Sequence, residues 1–166
     1  EWFIGQASGL GLDVEVDRNG NIWAWWGDPA ASDAVVTGSH VDSVPDGGNY
    51  DGPLGIASAL TAIAELQRRG VQPRRPLAVA CFTDEEGGRF GVACIGSRLA
   101  AGVLTPEKAR ALRDADGITL DEALRRVGRD PGALGAEPER LGRIGAFVEL
   151  HVEQGRGLVD LDASIA

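Results

Sequence analysis

The chain contains no methionine and only two histidines, two cysteines and one tyrosine in 166 residues. No apolar run approaches the roughly 20 residues that a membrane-spanning helix needs. No basic start followed by an apolar core marks a secretory signal. A formal net charge of −9, with no basic block to offset it, argues against a nucleic-acid or anionic-membrane surface. The densest arginines, Arg68, Arg69, Arg74 and Arg75, read as a solvated helix end and loop. Neither a Gly-x-Ser-x-Gly nor a Gly-x-x-x-x-Gly-Lys-Ser/Thr stretch occurs, which removes serine-hydrolase and nucleotide-binding readings. Cys81 and Cys94 have no Cys-x-x-Cys spacing and read as reduced fillers rather than ligands. These absences leave a cytoplasmic location as the expectation. With no start residue, a helical pattern already under way at Trp2 and a stop soon after a strand, the chain reads as an internal piece of a longer protein.

The length and an apolar share of 43% suffice for one domain with a packed core. Residues 1–9 read as the end of a helix, stopped by Gly9 and Gly11. Leu12–Val16 and Ile22–Trp26 alternate and flank the turn Asp17-Arg-Asn-Gly-Asn21, a hairpin pattern. Asp33–Ser39 and the continuous apolar run Pro76–Thr83 read as strands, with a helix over Pro53–Arg69 between them. Ile95–Ala101 is a short helix, Thr105-Pro106 opens another, and Thr119-Leu-Asp-Glu122 has capping-box form. Asp130–Arg143 reads as a connector and Ile144–Glu153 as the last strand. Strands alternating with helices predict a doubly wound α/β layer whose site gathers at the carboxyl ends of strands.

The two histidines mark that site. His40 closes a strand two residues before Asp42, which is placed to hold the imidazole tautomer. Asp51 lies between a glycine-rich loop and a helix start. On its own it would be an N-cap, but its two oxygens can also bridge two cations. Glu85 and Glu86 follow a buried strand; adjacent strand residues face opposite ways, so both reach one site only where the backbone leaves regular β geometry, as Gly87 and Gly88 permit. Two such acids suit a ligand next to a general base. His151 interrupts an apolar strand, where a core histidine is the ordinary explanation. Imidazoles and carboxylates together suit zinc, manganese or cobalt better than calcium. The ordered set His, Asp, Glu-Glu, His reads as a metal-dependent hydrolase site.

Three stretches, Gly38–Gly55, Phe82–Phe90 and Glu149–Gly155, resemble the metal motifs of the M20 peptidase superfamily. They are most similar to its branch of N-carbamoyl-L-amino-acid hydrolases, allantoate amidohydrolases and β-ureidopropionases. Asp17–Trp23 is similar to the hairpin that precedes the first motif. The resemblance implies a three-layer α/β/α catalytic domain with a mixed, mostly parallel sheet, of which residues 1–166 are a partial, metal-binding piece. It implies two divalent cations (zinc, or manganese, cobalt or nickel), with His40 and His151 on one, Asp51 bridging and Glu86 on the second. Glu85 would be the general base, Asp42 would orient His40, and Gln154 would lie near a small ureido or N-carbamoyl amino-acid substrate. A further metal histidine and a lid domain, through which such enzymes form homodimers, have no counterpart in this sequence. Alternatives left open are an M20 dipeptidase or aminoacylase, and an inactive metal-binding module.

Overall fold

The computed structural model describes residues 1–31 and 33–165. Helix α1 (Trp2–Gly9) leads into strands β1 (Asp13–Val16) and β2 (Ile22–Trp26). Strand β3 (Ala34–His40), helix α2 (Pro53–Arg68) and strand β4 (Leu77–Phe82) follow. Three short helices come next: α3 (Ile95–Ala100), α4 (Pro106–Ala111) and α5 (Leu120–Arg126). A 3-10 turn at Pro131–Ala133 and helix α6 (Pro138–Leu141) precede strand β5 (Ile144–Val148), and helix α7 (Gly157–Asp160) comes last. No helix among the described residues is long and apolar enough to cross a membrane.

The five strands form one mixed sheet in the order β1-β2-β4-β3-β5. β4, β3 and β5 run parallel, and the β1–β2 hairpin is added to β4 antiparallel. Period-two alternation sorts the side chains of β2 and β4. Ala24, Val79 and Cys81 face α1 and α2, where Phe3, Ala7, Ile56, Ala59, Leu60 and Ile63 cover them. Trp23 and Trp25 point to the other face with Ala34, Val36, Ala78 and Ala80. The register sets each tryptophan opposite an alanine, Trp23 against Ala80 and Trp25 against Ala78. Large rings thus fill the space that small partners leave, and the two indoles stack with centroids 6.2 Å apart. Each indole removes roughly 200 Å² from water, an upper bound of about 5 kcal/mol apiece before entropy. A separate third cluster (Phe90, Ile95, Leu99, Leu104, Ala109, Leu120, Ala123 and Leu134) is built by α3 to α5 and the loops that flank them.

A buried polar hub joins these parts. The Asp17 carboxylate accepts from the backbone N–H groups of Asn19 and Asn21, from Asn21 Nδ2 and from Trp23 Nε1 at 2.8–3.1 Å. Asn21 Oδ1 accepts from the Thr83 N–H at 3.1 Å, while Asn19 exchanges two bonds with the backbone of Gly135. The Asp17 side chain is therefore spent on the hairpin and its neighbours.

Two expectations need correction. The last strand stops at Val148 rather than Glu153, so His151 is not a strand residue. Its ladder with β3 ends at Thr37↔Val148. Beyond it the chain turns over the end of the sheet, with the His151 ring bonded to the Val152 carbonyl at 2.6 Å. The connector Asp130–Arg143 also holds ordered turns: Asp130 caps the 3-10 turn through Gly132 N–H, and Pro138 starts α6.

Candidate metal centre

Because β3, β4 and β5 are parallel, their carboxyl ends share one edge of the sheet, and each delivers functional groups there. His40 is the last residue of β3 and is buried at 3% exposure. Its Nδ1 lies 2.9 Å from the Asp42 carbonyl oxygen and 3.6 Å from Asp42 Oδ1, so the backbone of Asp42 makes the closer contact. That partner makes Nδ1 the donor and leaves Nε2 a free lone pair facing the site. The Asp42 carboxylate instead accepts from the Glu86 N–H at 3.0 Å and fixes the turn that carries the glutamates.

Asp51 stands directly before α2, whose amino end is favourable for an anion. The cap residue is Gly52, at φ +80° and ψ −61°. A Cβ there would stand 2.5 Å from the His40 ring and 2.7 Å from its carbonyl oxygen. Only glycine lets the turn pass this close beneath the imidazole. After β4 the chain leaves β geometry as the sequence required: Asp84 is left-handed at φ +49° and Gly87 at φ +67°. Glu85 and Glu86 consequently face the same space.

Around Asp51 the distances are short. Its Oδ1 lies 3.7 Å from His40 Nε2 and 3.3 Å from His151 Nε2, and no hydrogen bond satisfies this buried oxygen. Glu85 Oε2 is 3.5 Å from His40 Nε2. Ligand atoms of His40, Asp51 and Glu86 lie within 4.8 Å of one another. His151 reaches Asp51 from an exposed position, and Gln154 Nε2 donates to Asp51 Oδ2. All seven residues singled out in the sequence thus meet at one sheet edge, five firmly anchored and two reaching in from the 149–154 segment.

The electrostatics of this edge suit a cation. Loss of hydration, the negative Asp51 and the neighbouring Glu85 push the Glu86 carboxyl above the ordinary carboxylate range, with His40 opposing. Burial and the charge of Asp42 raise Asp84 to about 6. Acids crowded in this way repel one another unless positive charge is supplied. An orphaned buried carboxylate oxygen between two imidazoles therefore fits a divalent ion.

Sequence reasoning missed one group. Cys94, read as a filler, is only partly buried, and its Sγ lies 3.2 Å from Glu85 Oε1. No local pattern signals a pairing that depends on a left-handed residue at position 94.

A mixed α/β sheet whose parallel strands bring imidazoles and carboxylates together at their carboxyl edge defines the class of scaffold, a layered α/β domain with a polar site at its strand ends. Residues 36–165 match the pattern of peptidase family M20/M25/M40, and the chain belongs to that family. It is 45% identical over 149 residues to an N-carbamoyl-L-amino acid amidohydrolase of Geobacillus stearothermophilus, covering 89% of this chain and 36% of that protein. It is 44% identical over 157 residues to a ureidoglycolate hydrolase of Oryza sativa subsp. japonica, covering 88% and 31%. The crystal structure of a hydantoinase/carbamoylase family amidase from Burkholderia ambifaria superimposes with a TM-score of 0.84 at 34% identity, over 97% of this chain and 38% of that one. The chain thus spans about a third of the length of the relatives it matches.

Proposed function

We propose that these residues form the metal-binding part of an enzyme that hydrolyses a C–N bond in an N-carbamoyl or ureido amino-acid substrate. The observation that carries this reading is the buried, unpartnered Oδ1 of Asp51 between His40 and His151, with Glu86 close by. His40 and His151 would hold one divalent cation, Asp51 would bridge, and Glu86 would hold a second. Such ions lower the pKa of water and polarise a carbonyl oxygen. Glu85 faces His40 Nε2 and ligates nothing in this scheme, so its carboxylate is free to take a proton from the attacking water. As the water oxygen bonds to the carbamoyl carbon and the C–N bond breaks, the same carboxyl returns the proton to the departing nitrogen. Asp42 steadies both His40, through its carbonyl, and the Glu86 turn, through its carboxylate. Gln154, which donates to Asp51 Oδ2, would lie near the substrate. The carbamoyl and ureido relatives, rather than the peptidases of the wider family, guide the substrate class.

Two substitutions separate the roles. In the full-length product of the gene, Glu85→Gln is expected to abolish ammonia or amine release while metal content stays close to wild type. Glu86→Gln is expected to lower metal content itself. Equal metal loss in both variants would refute the division of labour. Faster cleavage of a dipeptide or N-acyl amino acid than of N-carbamoyl amino acids and ureidoglycolate would refute the substrate class.

A further inference from the structure

We propose that Cys94 is a positioning residue for the general base, its thiol tethering Glu85 Oε1 so that Oε2 alone is presented to the metal side of the cleft. The inference rests on the reading of Glu85 as the base. Its geometry is independent of that reading.

The Glu85 carboxylate is held at one oxygen and open at the other. Cys94 Sγ–H donates to Oε1 at 3.2 Å, whereas Oε2 lies 3.5 Å from His40 Nε2. The thiol is delivered by backbone rather than by chance contact. Three successive N–H groups, of Cys94, Ile95 and Gly96, bond the carbonyls of Glu85, Asp84 and Thr83 at 2.6, 3.0 and 3.1 Å. This zipper runs the start of α3 back along the strand exit. It closes only because Cys94 is left-handed at φ +60°, an unfavourable conformation for a residue with a Cβ. The Cys94 carbonyl is in turn held by Arg98 N–H at 2.9 Å and by Ser97 Oγ at 3.3 Å. A residue kept in a strained conformation, with its side chain aimed at the base, is doing more than filling space.

The chemistry suits the task. Burial and the Glu85 carboxylate push the Cys94 thiol upward, which keeps the sulfur protonated and a donor near neutral pH. An S–H donor is weak. It orients a carboxylate without neutralising it, whereas a lysine or arginine in its place would quench the base. One oxygen held and one free removes the rotation by which a half-exposed glutamate would swing away from the water it must deprotonate.

Two measurements test this. In the metal-free full-length protein, alkylation of Cys94 by iodoacetamide at pH 8 is read by peptide mass mapping, with the buried Cys81 as the unreactive internal reference. Its thiol is pushed up to about 11 by burial and Asp42. Replacing Glu85 by Gln removes the anionic acceptor, so Cys94 should react at least about fivefold faster, while Glu86→Gln should change the rate by less than about twofold. An unchanged rate in Glu85→Gln overturns the tether. In the metal-loaded full-length protein, Cys94→Ala should lower kcat about three- to fivefold with KM and metal content unchanged, and Cys94→Ser, which keeps a donor, should restore most of it. Equal kcat in the alanine variant and wild type, or failure of serine to rescue a fallen kcat, overturns the positioning role. Absence of ureido hydrolysis in the wild type would defeat the proposed function instead, and the alkylation result would still decide the tether.

Discussion

Replacing Gly52 by alanine strikes the candidate metal centre without touching any of its proposed ligands. At φ +80° and ψ −61° this residue sits in a γ-turn conformation that a side chain with a Cβ adopts only under strain, about 1–3 kcal/mol. The added methyl would also stand 2.5 Å from His40 Nδ1 and Cε1, nearly an ångström inside ordinary contact. Because the imidazole is buried and its Nδ1 is already bonded to the Asp42 carbonyl, it has little room to retreat. Overpacking of that kind costs roughly 1–3 kcal/mol more. Urea unfolding of the metal-free chain, followed by tryptophan fluorescence, should show a loss of about 3 kcal/mol or more, a large share of the 5–15 kcal/mol typical of a domain. Zinc titration against a chelating indicator should show affinity at least about tenfold weaker, since His40 Nε2 can no longer face Asp51. Gly48→Ala is the control: its φ is +84° but nothing lies within 4 Å, so it carries backbone strain alone. If Gly52→Ala proved no less stable than Gly48→Ala, the close packing of the turn beneath His40 would be refuted.

Other perturbations have equally definite outcomes. Asp17→Ala strands four buried donors, including the Trp23 indole, and is expected to cost about 3–5 kcal/mol in the same unfolding assay; a loss under about 1 kcal/mol would show that the hub is dispensable. Burial raises the Glu15 carboxyl, but hydrogen bonds from Arg140 and Trp25 outweigh it and leave the group below its ordinary value. The stability this contributes is fully present above the ordinary carboxylate range and is lost as pH falls from there through the depressed folded-state value. Glu15→Gln should therefore lower stability by about 0.5–1 kcal/mol at pH 7, a figure discounted for solvent screening, and by progressively less as pH falls through the depressed folded-state value. A difference that persisted at low pH would point to packing rather than charge.

Features with local causes were legible from the residues. The hairpin about Asp17–Asn21 emerged as read. So did the capping box, with Thr119 Oγ1 accepting from Glu122 N–H and the Glu122 carboxylate from Thr119 N–H. The cap of α4 formed too, with Thr105 accepting from Lys108 N–H. β5 was overestimated because apolar residues continue to Val152, and only the partner strand decides where a ladder ends. Asp42 was expected to orient His40 and stands against its ring, but that the carbonyl rather than the carboxylate makes the closer contact is something no residue identity encodes. The Asn19–Gly135 exchange and the Cys94–Glu85 contact depend on where distant segments land, so neither spacing nor propensity announces them.

The separate apolar cluster between Phe90 and Leu134 bears on the order in which the molecule assembles. Its members all come from one uninterrupted stretch, so it can condense through short loops. The cleft is the reverse. β5 must find β3 across more than a hundred residues, and His151 must find Asp51 across a hundred. Beyond Val148 no sheet ladder holds the chain, and most of the segment carrying His151 and Gln154 is exposed. That segment is held to the cleft by few local bonds, while the Glu85 side is clamped to α3 by three backbone hydrogen bonds. A ligand gripping Asp51 and His151 together would act as a staple between segments a hundred residues apart, and would raise the resistance of that seam to hydrogen exchange and proteolysis far more than that of the helical unit.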